Sequence, residues 1–272
     1  MPALDGVRGI AILLVMLGHL IATRWTDWIS TSGVTLFFIL SGYLITGRLQ
    51  AGQPLGTFFR NRARRLLPAL AMMLAVTAPW FLVRGQATWW QLLEPVLYVR
   101  DITVAHFGAP WSPWTHTWSL GVEEQFYLLW PFALLAWRQP RRGVVLVGSL
   151  SFVAMLLAFA AGNVSLALCS PFTQAWALCL GSALALYGWS PRWPAWTSAA
   201  WLRWCGIRSY SMYLWHFPLM VVLEGWMPDR VGFLLASFLS AAIAAVSWKY
   251  VEAPLLSRGT VVRTPARTPV TV

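Results

Sequence analysis

Long apolar runs, broken by short polar bursts, recur along the whole chain. Each approaches the roughly 20 residues that a helix needs to cross the hydrocarbon of a bilayer. They predict spans at about 4–22, 31–49, 66–84, 117–137, 143–161, 173–189, 207–224 and 231–250. The expected fold is all-α, a polytopic transmembrane helical bundle of about eight spans within residues 1–256. An even number of spans puts both termini on one side. The tail, 257–272, has Thr-Pro breaks and no apolar period, so disorder is expected there. The first apolar run has no basic leader and no small-residue cleavage site, so it is expected to stay as a helix.

The charges give this bundle a direction. Fifteen Lys and Arg fall in the connections 48–65, 138–142 and 190–208 and in the tail after 248. The opposite connections hold four, Arg24, Arg84, Arg100 and Arg230. This asymmetry, in register with the spans, predicts cytoplasmic N and C termini. The long opposite connection, about 85–116, is rich in Trp, Pro and His, and Trp89 and Trp90 suit an interfacial belt.

Composition agrees with a lipid setting: 58% of the 272 residues are hydrophobic and 11% charged, against about 25% charged in an ordinary soluble domain. The net charge of +11 does not mark a nucleic-acid binder, because its bases are scattered in bursts between apolar runs. Cys169, Cys179 and Cys205 have no metal-ligand spacing and read as buried small hydrophobes. No metal site is expected.

A few polar groups stand where hydrocarbon should not tolerate them. In the first span Arg8 and His19 are eleven residues apart, roughly three full turns, so they share a face about 16 Å apart along the axis. Asp5 is placed to pair with Arg8. Snorkelling of Asp5 and Arg8, with a helix-satisfied His19, is the competing explanation. In TWSLGVEEQFYLLWP, residues 117–131, Glu123 and Glu124 are adjacent, so they point about 100° apart and only one can aim at a given cavity. The competing explanation is that both merely anchor the outer end of the helix.

The burst FFRNRARRLLP, residues 58–68, offers Arg62, Arg64 and Arg65 as a phosphate clamp, although topology alone explains such a run. His216 in SYSMYLWHFPL is a lone histidine among aromatics, more often structural than catalytic. Glu252, ahead of Pro254, is expected to pair with a loop arginine.

Six segments, LDGVRGIAILLVMLGH at 4–19, LFFILSGYLIT at 36–46, FFRNRARRLLPAL at 58–70, HTWSLGVEEQFYLLWP at 116–131, SYSMYLWHFPL at 209–219 and WKYVEAPL at 248–255, together resemble the acyltransferase family 3 of integral membrane O-acyltransferases. The resemblance implies transfer of an acyl group, commonly acetyl, from cytoplasmic acyl-CoA to a hydroxyl of a carbohydrate. The implied setting is a bacterial-type inner membrane, with the lipid bilayer and a carbohydrate or glycoconjugate as partners. The family's arginine–histidine pattern falls on Arg8 and His19. Its arginine-rich pattern falls on Asn61, Arg62 and Arg65, with Asn61 in place of an arginine and Arg60 and Arg64 nearby.

The resemblance implies His19 as general base or acyl carrier and Arg8 as guide for the donor or holder of the charge developing at the thioester. Glu123 or Glu124 would orient His19 or the acceptor. Arg62, Arg64 and Arg65 would hold the CoA phosphates, and Trp118, Tyr127 and His216 would contact the acceptor. Acetyl-CoA or another acyl-CoA is the expected co-substrate. Eight spans is one hairpin short of the family core, and the gap falls between 189 and 209. No hydrolase-like segment follows, so the membrane core is expected to handle the acceptor alone. The alternatives are a membrane transporter or flippase whose Arg, His and Glu line a path, and an inactive shortened paralogue.

Overall fold

The computed structural model describes residues 2–21, 27–224 and 226–257, and every regular element among them is helical. The elements are α1 (Pro2–Leu20), α2 (Asp27–Gln50), α3 (Leu55–Val83), α4 (Trp89–Leu97), α5 (Arg100–Phe107), α6 (Trp118–Ala136), α7 (Pro140–Ala160), α8 (Val164–Cys169), α9 (Pro171–Leu186), α10 (Ala200–Leu223), α11 (Asp229–Ser247) and α12 (Ala253–Ser257). Arg24 and the tail from 258, with Arg258, Arg263 and Arg267, lie outside the described residues.

Each of the eight apolar runs is helical, and six helices are long and apolar enough to cross a membrane. These are α1, α2, α3, α7, the stretch Val164–Leu186 through α8 and α9, and Asp229–Leu256 through α11 and α12. Helices α6 and α10 have the length, 19 and 24 residues. They carry Glu123, Glu124 and Gln125, and Arg203, Arg208 and His216, in place of hydrocarbon. Helix α7 shows the opposite character. It buries Val144, Ser151 and Ala158, one narrow stripe, and exposes Leu146, Leu150 and Leu157 outward, as a lipid-facing helix does.

Two boundaries differ from the sequence pattern. Helix α3 starts at Leu55 rather than about 66, directly after Pro54 in extended conformation. The basic burst is therefore not a loop but the first turns of a helix, because arginine is a good helix former and Arg62, Arg64 and Arg65 face a cavity rather than hydrocarbon. Helix α10 likewise starts at Ala200 rather than about 207. Ser170 divides 164–186, its hydroxyl accepting from the Phe172 N–H ahead of Pro171 at the first turn of α9.

The helices form a row in the order α11, α10, α1, α2, α9, α7, with α3 and α6 packed across it. Small residues set the crossings. A Cβ on Gly206 of α10 would stand 1.6 Å from the Asp5 carbonyl oxygen, and one on Gly9 of α1 2.2 Å from that of Leu202. Gly42 of α2 and Gly181 of α9 repeat the arrangement, at 2.0 Å from Leu178 O and 1.9 Å from Ile39 O. Backbone-to-backbone approach of this kind is how membrane helices gain contact when no hydrophobic force drives them together. Indole donors pin α6 and its approach: Trp130 Nε1 donates to Thr46 at 2.7 Å and buried Trp114 Nε1 to Thr77 at 3.0 Å.

The connection between α3 and α6 is ordered by charge. Thr88 and Gln91 form a capping box at the start of α4. Arg100, counted among the four bases of the opposite connections, is wholly buried. It pairs with Glu94 at 2.5 Å and donates to Pro110 O at 2.6 Å and Thr115 Oγ1 at 2.9 Å. Asp101 accepts from Gln125 Nε2 of α6. Glu252 finds no loop arginine among the described residues. A π-helical turn, Trp248–Glu252, sends it inward, where it accepts from Ser211 at 2.6 Å and Ser247 at 3.0 Å.

Candidate active site

Helices α1, α2, α3, α6 and α10 enclose a cavity of about 390 Å³ at the arginine-rich end of the bundle, within the usual range for small-ligand sites. Arg8, Arg48, Arg62, Arg64 and Arg65 line it, against one carboxylate, Glu123. Arg8 pairs with Asp5 at 3.5 Å, as the spacing in α1 predicts. Arg62 is engaged by both glutamates. Its Nε donates to Glu124 at 2.7 Å, its terminal nitrogen pairs with Glu124 and stands 3.5 Å from Glu123, and its guanidinium lies 3.2 Å from the Tyr127 ring centroid. Arg48, Arg64 and Arg65 have no carboxylate partner among the described residues. The result is a concave site with three uncompensated guanidinium groups, which attracts anions, phosphates above all.

Glu123 lines the cavity and Glu124 does not, as expected of neighbours about 100° apart on a helix. Glu123 also accepts from Ser41 and from Tyr127 Oη at 3.1 Å. Neither glutamate bonds to His19; their partners are Arg62, Ser41 and Tyr127. Tyr127 accordingly stands among the arginines. Asn61 and Arg64 line the cavity, whereas Arg60 is exposed and outside it. Trp118 lies outside the lining and packs edge-on to Phe38 at 6.3 Å.

Ser119 and Tyr213 also line the cavity. The Tyr213 hydroxyl donates to the His116 carbonyl at 2.7 Å, so at the 2.7 Å contact with Ser119 the serine is the donor. Beyond them are three histidines. His19 lies 5.3 Å, centroid to centroid, from His216, and His216 lies 5.4 Å from His116. His216 is thus not a lone imidazole. His19 Nδ1 donates to Val15 O at 2.8 Å. A carbonyl only accepts, so this bond places the lone pair of the neutral ring on Nε2. Burial, with the nearby His19 adding to it, pushes His116 down to about 3, which keeps it neutral.

Sequence reasoning did not assign Arg48, Ser41, Ser119, Tyr213 or His116 to a site. Arg48 stood in a topological count, and His116, eight residues before Glu124, belongs to the short 3₁₀ turn Thr115–Thr117 that carries it inward. Among the described residues no group of three His, Cys, Asp or Glu is arranged to hold a metal ion. The three cysteines are unpaired thiols.

A family model described as an acyltransferase domain matches residues 1–173. The peptidoglycan O-acetyltransferase OatA of Listeria monocytogenes is 28% identical over an alignment covering 95% of this chain and 56% of the relative. YrhL of Bacillus subtilis is 29% identical, with 95% and 55% covered. The O-acetyltransferase OatA of Staphylococcus aureus is 25% identical, with 95% and 58% covered. The chain thus spans about half the length of the curated relatives it matches. The Listeria alignment runs over 357 positions where this chain has 272 residues, so the relative carries stretches that this chain lacks. No solved structure matches the chain.

Proposed function

The chain belongs to the acyltransferase family that residues 1–173 match, and we propose that it is a membrane O-acyltransferase moving an acyl group, acetyl in the first instance, from acyl-CoA to a hydroxyl of a cell-envelope carbohydrate. The observation that carries this reading is the cavity with five arginines, three of them without a carboxylate partner among the described residues; His19, whose lone pair is on Nε2, is outside its lining, beyond Ser119 and Tyr213. A phosphate-bearing thioester matches that charge. The names of the Listeria and Staphylococcus relatives favour O-acetyl transfer, and the Listeria name favours peptidoglycan as the acceptor class.

In this proposal the protein spans a bacterial inner membrane eight times, α6 and α10 included, with both termini and the arginine cavity on the cytoplasmic side. Arg48, Arg64 and Arg65 hold the donor phosphates, and Arg62 is positioned by Glu123 and Glu124. The acyl end of the donor passes Ser119 and Tyr213 to reach His19. There His19 Nε2 takes the proton of the acceptor hydroxyl as its oxygen attacks the thioester carbonyl. The C–S bond breaks, and the same proton leaves on the thiol of CoA. The site thus needs no net proton from solvent. The shortened chain relative to OatA fits a core lacking one helical hairpin, placed between α9 and α10.

The test is transfer of radiolabelled acetyl from acetyl-CoA to envelope glycan in membranes carrying the protein. Wild type labels the glycan, and His19→Ala does not while inserting at normal levels. Equal labelling by His19→Ala refutes the role of His19. No labelling by wild type leaves the inactive-paralogue or transporter reading.

A further inference from the structure

Three of the chain's four histidines meet at one point, although they come from α1, the 3₁₀ turn before α6, and α10. The transfer chemistry uses one of them. The other two are buried, His116 at 5% exposure and His216 at 0%. The His216 Nδ1 donates to Tyr213 O at 2.6 Å, which puts its lone pair on Nε2. That nitrogen and both nitrogens of His116 have no hydrogen-bond partner among the described residues. Buried polar atoms are usually paired, and of the nine unpaired buried side-chain atoms among the described residues these three ring nitrogens cluster beside one candidate base, where a ligand would satisfy them. A neutral imidazole offers one donor and one acceptor, the complement of a hydroxyl group, which offers the same pair.

An aromatic file leads outward from this cluster. Phe217 stacks on His116 at 5.1 Å and 29°, and stands 5.9 Å from His19. Trp111 lies 5.9 Å from Phe217 and is half exposed, in the connection between α5 and α6. It is thus reached from a side other than the arginine cavity, whose lining includes none of Trp111, His116, His216 or Phe217. Flat aromatic faces beside polar groups suit a sugar ring, which is apolar on its faces and polar at its rim.

We propose that His116 and His216 are the acceptor-binding residues, holding a carbohydrate hydroxyl against His19 while Trp111 and Phe217 guide and stack its ring. This rests on the transfer reading and names the acceptor half of the same site. Donor and acceptor then approach His19 from different sides, the anion through the arginines and the neutral sugar past Trp111. The Ser119–Tyr213 hydroxyl pair lies on the donor side, where the acyl end passes from the arginine cavity toward His19.

The experiment uses the full chain in lipid nanodiscs, labelled acetyl-CoA as donor, and a soluble N-acetylglucosamine–N-acetylmuramic acid disaccharide as the acceptor probe. His116→Ala and His216→Gln are expected to raise the acceptor KM about tenfold, the usual cost of a lost hydrogen bond to substrate, with the donor KM within about twofold of wild type. Trp111→Ala, at the surface, is expected to raise the acceptor KM with an unchanged melting temperature, and it decides the matter if a histidine variant fails to fold. An acceptor KM unchanged in the variants that fold, or donor and acceptor KM rising together, overturns the assignment while leaving the transfer reading intact. No transfer by wild type to this probe or to intact envelope glycan overturns both.

Discussion

Arg62 of α3 reaches Glu124 on α6, donating its Nε–H at 2.7 Å. The same guanidinium faces Glu123 and covers the Tyr127 ring. One arginine thus accounts for two adjacent carboxylates inside the bundle. Removing it leaves both without their cation. Arg62→Ala is expected to lower stability by about 1–2 kcal/mol, below the scale for breaking a fully buried pair from one side, because these side chains are 18–22% exposed. Glu124→Gln is expected to cost less, because Glu123 still faces Arg62. Thermal unfolding of the purified full chain checks the order; equal melting of Arg62→Ala and wild type would show that the pair is not structural.

Arg64 and Arg65 line the cavity without a carboxylate partner. Their removal costs the fold little and the donor much. Arg65→Ala is expected to weaken acetyl-CoA binding about tenfold, with a melting temperature close to wild type. Wild-type affinity should fall with added salt. Binding titrations at two ionic strengths measure both, and salt-independent affinity would remove phosphate recognition from this site.

The glycines divide by what surrounds them. Gly206→Ala places a methyl 1.6 Å from the Asp5 carbonyl, so α1 and α10 must separate, and the Asp5–Arg8 pair shifts with them. A loss of about 3 kcal/mol and reduced transfer are expected. Gly47, inside α2, has nothing within 4 Å of the same position. Gly47→Ala is expected to be neutral or to stabilise by about 0.5–1 kcal/mol. Melting of the two variants side by side reads the contrast.

Asp101 lies in α5, outside the spanning helices, with no exposed surface. Burial pushes its carboxyl up to about 7, against hydrogen bonds from the Ile102 N–H and Gln125 that favour the charged form. The folded state therefore holds a proton that the unfolded chain releases near its ordinary value of 3.8. Its contribution to stability is complete below that value, declines as pH rises to about 7, and is flat above. Within the window the slope is about 1.4 kcal/mol per pH unit. Wild type should melt higher at pH 5 than at pH 8, and Asp101→Asn should lose that difference. Parallel curves for the two proteins would place the proton elsewhere.

Helix content and the Asp5–Arg8 pair were legible along the chain because they depend on local spacing. Eight apolar runs became helices, and a three-residue offset on α1 became an ion pair. The boundary of α3 was not legible. Charge density alone made 58–65 read as a loop, and the helix continues because its arginines have a cavity to face. Glu252 went inward for a related reason: a π turn rotated it onto Ser247, five residues before it, and onto Ser211, 41 residues away.

The sequence by itself determined an all-helical chain, its apolar segments, and the short list of polar residues too costly to waste in hydrocarbon. Periodicity and composition are local quantities, and helices are built from local hydrogen bonds. Tertiary structure alone decided the grouping of that list. Arg48 joined Arg62, Arg64 and Arg65 around one cavity, and Glu123 and Glu124 turned to Arg62 instead of His19. His116 and His216 closed on His19 from 97 and 197 residues away. Such meetings depend on which helices cross, and here glycine-to-backbone contacts between α1 and α10 and between α2 and α9 set the crossings. No window along the chain contains both partners of those contacts.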